Sequence, residues 1–363
     1  MNRGATAPLL TVPLLTNPQS FSKHAMFSKQ PDSMPNTDAS TDTDVSDASI
    51  PDAPVTGVVF LFCAMLALVM LGGCSTGGNP PEDGSNSEDS SNSEDSSNGA
   101  MFGGDVQRTG VFPPGGPTTI DGAAWPFETD GDVGSSPVVS GSTVYVGSRD
   151  THLYAIDAET GQERWAFEIG DIVASSPAVS GGTVYVGSQD RHLYAIDTES
   201  GQERWAFETR GLVFSSPAVS GGTVYVGSTD SHLYAIDAES GKEQWTFETD
   251  GQVIASPAVS GSTVHVGSTD NHLYAIDPAT GEERWAFETD GRVRSSPAVS
   301  EGTVYVGSDD KHLYAIDTET GQEQWAFETG DPVGSSPAVS GSTVYVGSRD
   351  THLYAIDAET GQE

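Results

Sequence analysis

The chain of 363 residues carries 52 Asp and Glu against 15 Lys and Arg, a formal net charge of −37. Such a surface repels phosphate backbones, which excludes nucleic acid as a partner on electrostatic grounds. Its two cysteines, Cys63 and Cys74, both precede residue 125, so neither a disulfide nor thiol chemistry belongs to the repeated segment that follows.

Residues 1–56 are rich in Ser, Thr, Asp, Asn and Pro and show no hydrophobic periodicity. That composition buries too little apolar surface to offset the entropy of ordering, which predicts a disordered N-terminal region. Residues 57–74 read as a signal or anchor segment. Val58–Leu71 is an unbroken apolar run of 14 residues, closer to a signal-peptide core than to a full membrane span. It leads into Leu71-Gly72-Gly73-Cys74, which is similar to a lipobox and predicts lipidation of Cys74. The acidic stretch from Asp32 to Asp52 departs from the basic flank of such signals, and an uncleaved anchor or a chance cysteine are the alternatives. Both membrane readings place the rest of the chain on the exterior of the cell membrane. Residues 75–124 form an acidic Ser/Asn/Gly-rich tether and lead-in.

From residue 125 to 363 one unit returns every 40 residues, marked by Trp125, Trp165, Trp205, Trp245, Trp285 and Trp325. A fixed period in this range signals an array of one supersecondary unit. In the second unit, Ser175–Ser180, Thr183–Ser188, His192–Asp197 and Gln202–Glu208 read as short strands A to D separated by turn residues. Strands B and C are apolar on both faces, so both must be covered. Among the strands, proline falls only in A and D, as at Pro177 and Pro126, where an edge tolerates a missing donor. The fold class predicted is an all-β propeller of six four-stranded antiparallel blades. The strand around Trp125 closes the last blade. Residues 133–163 and 333–363 differ only at Val138 and Ala338, and seven or eight blades follow if the chain is truncated within its repeats. The acids are spread through this foldable segment. They read as adaptation to high salt, where screening tames their repulsion, or more plainly as a soluble acidic surface.

Tyr154-Ala-Ile-Asp157-Ala-Glu-Thr160-Gly161-Gln-Glu-Arg-Trp165 resembles the docking motif of the PQQ-like β-propeller repeats, a family that includes quinoprotein alcohol dehydrogenases and the Bam-complex B-subunit lipoprotein. The resemblance covers about two-thirds of the chain. It implies that the six tryptophans wedge between neighbouring blades, and that Asp157, Thr160 and Gly161 shape the C–D turn. It does not by itself imply PQQ. The dehydrogenases of the family imply eight blades, Ca²⁺ ligands, a catalytic Asp and often a Cys pair, and near-identical repeats leave little room for an asymmetric active site.

Asp150 and His152, repeated as Asp190/His192 through Asp350/His352, have the residue types of a metal or acid–base site. Spread evenly around a ring they do not converge, and an Asx-type turn is the favoured reading. His265 replaces the Tyr of strand B and reads as a tolerated core substitution. No catalytic, cofactor or metal residue is assigned. Variation among the units concentrates before strand A and in the B–C turn, which an antiparallel blade presents on one side. Ile172, Leu212, Phe214, Ile254, Arg292 and Arg294 fall there and are the candidate interaction face. The function expected is a membrane-tethered exterior scaffold that binds other cell-surface proteins or a small ligand. The alternative is a PQQ-dependent alcohol dehydrogenase-like oxidoreductase.

Overall fold

Val, Tyr and Ile dominate the second and third strands of every unit, and such residues suit a pleated surface covered on both sides. The computed structural model describes Asp105 and residues 125–363, and there they build six antiparallel sheets arranged as the blades of a propeller. The N-terminal region, the signal segment with Cys74, and the tether apart from Asp105 lie outside the described residues.

The first sheet has the order β1 (Val138–Ser140), β2 (Thr143–Gly147), β3 (His152–Asp157), β4 (Glu163–Glu168). The same order recurs in β5–β8 between Ala178 and Glu208, β9–β12 between Ala218 and Glu248, β13–β16 between Ala258 and Glu288, and β17–β20 between Ala298 and Glu328. The sixth sheet holds β21 (Ala338–Ser340), β22 (Thr343–Gly347) and β23 (Leu353–Asp357). No helix among the described residues is long and apolar enough to cross a membrane.

Each sheet buries alternate residues on opposite faces, as the two-residue period of a strand requires. Ala178, Tyr185, Leu193, Ala195 and Trp205 face forward and pack on Val219, Val224, Val226, Tyr234 and Ile236 of the next sheet. The register slips between Ala155 and Ile156, so Trp165 opposes Ala155 while Glu163 opposes Ile156. Arg164 is thereby freed to reach Asp157, 2.6 Å away.

Every indole lies at a sheet boundary and donates Nε1–H to a backbone carbonyl of the following sheet. Trp165 reaches Thr198 O at 3.0 Å, Trp205 Ala238 O at 3.0 Å and Trp245 Pro278 O at 2.8 Å. Gly161 and Gly201 are required at the receiving turn. Gly201 has φ +67, and a Cβ there would stand 2.7 Å from the Trp165 ring.

One expectation needs correction. Residues 125–129 are not the fourth strand of the last sheet, which stays three-stranded among the described residues. Trp125 donates to Ala158 O at 3.1 Å and Phe127 packs edge-on against Tyr154, the contacts that Trp165 and Phe167 of β4 make on the sheet after theirs. Pairing with β23 is missing because the sixth sheet does not adjoin the first. Leu353, 75% exposed, shows that the forward face of the sixth sheet is uncovered.

Candidate interaction face

The repeated carboxylates are spent on structure. In the C–D turn, Asp157 Oδ1 accepts from Thr160 N and Thr160 Oγ1, both at 2.8 Å, and Oδ2 accepts from Arg164. The Arg164 hydrogen bond, with those from Thr160, holds the Asp157 carboxyl well below the usual range. In the B–C turn, Asp150 Oδ1 accepts from His152 N, and Oδ2 accepts from Tyr154 Oη and from Asp130 N, each at 3.0 Å. Burial opposes ionisation of Asp150, but hydrogen bonds led by that from Tyr154 outweigh it and lower its pKa. Burial and the adjacent Asp150 push the Tyr154 phenol up to about 12. Asp190 makes the same ties to Gly170 N and Tyr194 Oη. The Asp–His pair is thus a clamp between one sheet's outer end and the next sheet's turn.

The loops before strand A and the B–C turns form one continuous belt. Within a sheet, Gln189 N donates to Ile172 O at 3.0 Å and Thr229 N to Leu212 O at 3.0 Å. Between sheets, Val213 N donates to Ser188 O and Val253 N to Ser228 O, at 3.0 and 3.1 Å. Ile172, Leu212, Phe214, Ile254, Arg292 and Arg294 all sit on this belt. Phe214 is 38% exposed, Arg292 is exposed, and Ile172, Leu212 and Ile254 are half-buried. Arg294 differs: its guanidinium donates to Asp309 Oδ1 at 2.7 Å, so the arginine left to face outward is Arg292.

Two features escaped the sequence reading. Residues 15 apart are matched within a sheet: Arg149 lies over Gly134, Arg349 over Gly334, and Arg294 binds Asp309. Comparing the units at that spacing would have exposed the pairing. The B–C residues Thr151, Arg191, Ser231, Asn271, Lys311 and Thr351 adopt φ between 72 and 79, the left-handed region that Asn alone of these types favours. His265 is fully buried against Trp285 with neither ring nitrogen partnered. Burial, then the nearby Arg284, lowers its pKa to about 3.

These residues do not fit the quinone cofactor that the repeat's name evokes. A tricarboxylate needs several convergent cations, whereas those of the belt, Arg149, Arg191, Arg210, Arg292, Lys311 and Arg349, are spread over successive sheets, and Arg294 is engaged by Asp309. Among the described residues no group of three or more His, Cys, Asp or Glu is placed to hold a metal ion.

Comparison with known proteins adds the following. Residues 118–246 and 230–363 match the family described as outer membrane protein assembly factor BamB. No curated protein matches. Among solved structures, BamB from Moraxella catarrhalis is similar at 24% identity and a TM-score of 0.58, and the computationally designed Ika8 protein at 19% and 0.59. Each similarity covers 65% of this chain and 74% of the other, and at these identities it speaks to fold alone.

Proposed function

The chain belongs to the family of the outer membrane protein assembly factor BamB, and on that footing we propose that it is a binding propeller, without catalysis of its own, that holds a protein partner on its loop belt. The observation that carries this reading is the contrast between scaffold and belt. The sheets are near copies of one another, whereas the belt varies, and it carries the exposed Phe214 together with the half-buried Leu212 and Ile254. An aromatic residue amid aliphatic neighbours on a strongly acidic body is what a protein-binding patch uses. The exposed Arg292 adds a cation that an acidic side chain of the partner would meet. The partner class is another cell-surface protein, with a small ligand as the alternative.

Membrane tethering through Cys74, with the propeller facing the exterior, belongs to the same proposal. It is supported by the apolar run Val58–Leu71, the Leu71-Gly-Gly-Cys74 sequence and the acidic stalk after it. Adaptation to high salt is supported by the net charge of −37. Wild-type protein and a Leu212→Ser/Phe214→Ser variant, each used to capture partners from solubilised membranes, test the binding role. Specific partners are expected to drop out with the variant, and an identical set in both would refute the belt as the binding face. The intact mass of membrane-extracted protein tests the anchor: lipid is expected on an N-terminal Cys74, and an unmodified full-length chain would refute it.

A further inference from the structure

In five of the six units the loop before strand A opens with a threonine whose hydroxyl reaches the carbonyl two residues on. Thr129 reaches Gly131 O, Thr209 Gly211 O, Thr249 Gly251 O, Thr289 Gly291 O and Thr329 Asp331 O, all at 2.6–2.7 Å. In the fifth case alone the gripped carbonyl belongs to an aspartate followed by a proline, Pro332. An Asp–Pro bond is an unusually labile amide. The Asp carboxylate can close a five-membered ring on its own carbonyl carbon, and carboxylates serve as nucleophiles elsewhere in catalysis. The prolyl nitrogen, a tertiary amide without N–H, is a comparatively good leaving group. The chain has two such bonds, Asp277–Pro278 and Asp331–Pro332, and the fold treats them in opposite ways.

At Asp277 the carboxylate is locked. Oδ1 accepts from Ala279 N at 2.9 Å and Thr280 N at 3.2 Å, and Oδ2 accepts from Arg284 Nη2 at 2.6 Å. The hydrogen bond from Arg284, followed by that from Ala279 N, lowers the Asp277 pKa, and all three must break before either oxygen turns back on its own carbonyl. The Asp277 carbonyl itself accepts the backbone N–H of Gly281.

At Asp331 the carboxylate accepts no hydrogen bond among the described residues. Lys311 Nζ stands 3.6 Å from its Oδ1 while donating to Gly330 O at 2.9 Å, which keeps the carboxylate close to the backbone. The carbonyl is held instead. Thr329 Oγ1 lies 2.7 Å and Ser348 Oγ 2.8 Å from Asp331 O. Both hydroxyls are oriented. The other carbonyl within reach of Thr329, Lys311 O, already accepts the Thr329 N–H at 2.8 Å. Ser348 Oγ accepts from Asp350 N at 3.2 Å, which turns its hydrogen toward Asp331. On the other side of the bond, Pro332 O accepts from Arg349 N at 3.1 Å. Two fixed hydroxyl donors with an ammonium nearby are what stabilises the negative charge that attack places on a carbonyl oxygen.

We propose that this protein cuts its own backbone between Asp331 and Pro332. A carboxylate oxygen of Asp331 attacks the carbonyl carbon of the same residue, and Thr329 and Ser348 hold the oxyanion. The C–N bond to Pro332 breaks and its nitrogen takes a proton from solvent. One water opens the cyclic anhydride left on Asp331 to two carboxyl groups, so the net change is hydrolysis of one peptide bond. The nicked chain stays assembled, because Val333 is buried against Gly307 and the sixth sheet packs on Tyr305, Leu313 and Trp325. This inference does not depend on the binding role of the loop belt.

The test holds the full chain in detergent at mildly acidic pH, one sample folded and one unfolded in denaturant. Peptide mapping by mass follows new N-termini at Pro332 and at Pro278, so each chain carries its own reference bond. In the folded chain the cut at Pro332 is expected at least about tenfold faster than that at Pro278, and in the unfolded chain the two rates converge. Thr329→Val and Ser348→Ala are each expected to slow the cut at Pro332 by about tenfold without changing that at Pro278. Ser348 is half-buried in a turn, so its variant serves if Thr329→Val does not fold. Asp331→Ala is expected to abolish the cut. Four results overturn the proposal: no cut at Pro332, equal rates at the two bonds in the folded chain, a ratio that unfolding leaves unchanged, or a cut that persists in Asp331→Ala and so comes from a protease.

Discussion

His265 offers the sharpest check of the joints between sheets. In the other sheets a tyrosine holds this place, and Tyr145, Tyr185 and Tyr305 each donate their hydroxyl to a carbonyl of the next sheet at 3.3–3.4 Å. The imidazole is sealed in the same place with neither nitrogen partnered. His265→Tyr restores the hydroxyl donor and removes an unsatisfied buried polar group, worth about 1–3 kcal/mol at pH 7.5. The gain grows with acidity. The folded-state pKa is lowered to about 3 while the unfolded chain titrates near 6.5, so between these values the unfolded state binds the extra proton. Wild-type stability from this group is fully present above pH 6.5 and falls by about 1.4 kcal/mol per pH unit well below it. At pH 5 the advantage of His265→Tyr over wild type therefore widens by roughly 2 kcal/mol. Denaturant unfolding followed by tryptophan fluorescence at pH 7.5 and pH 5.0 measures both quantities. A variant no more stable than wild type, or a gap that stays constant between the two pH values, refutes the reasoning.

Three further substitutions probe the same architecture by thermal or denaturant unfolding. Trp205→Phe keeps an aromatic ring but deletes the donor to Ala238 O, and a loss of roughly 2 kcal/mol is expected; an unchanged midpoint would deny the indole its role at the joint. Gly201→Ala forces a side chain into φ +67 and against the Trp165 ring, for a loss of roughly 2–4 kcal/mol. Glu301 sits at φ +49 in the turn where the other units place Gly141, Gly181, Gly221, Gly261 and Gly341, so Glu301→Gly is expected to stabilise by about 1 kcal/mol, and destabilisation would show that the turn carries no strain.

Much of this protein is local and periodic, and that much was open to reading from the chain alone. The 40-residue beat, the apolar second and third strands, the glycines and Asp-x-x-Thr turns, and the tryptophans at each boundary are decided by neighbours within one unit or the next, and repetition states each rule six times. The loop belt was legible too, since variation against a constant background marks the surface that packing does not constrain. Tertiary structure alone decided which groups are free. Arg294 is bound to Asp309 while Arg292 faces out, and His265 is orphaned because a hydroxyl's reach is missing at one joint. It also decided that Trp125 anchors on the first sheet without pairing to β23. The physical reason is accumulation. Whether the first and last sheets touch depends on the sum of small rotations at five joints, and no single repeat carries that sum in its residues.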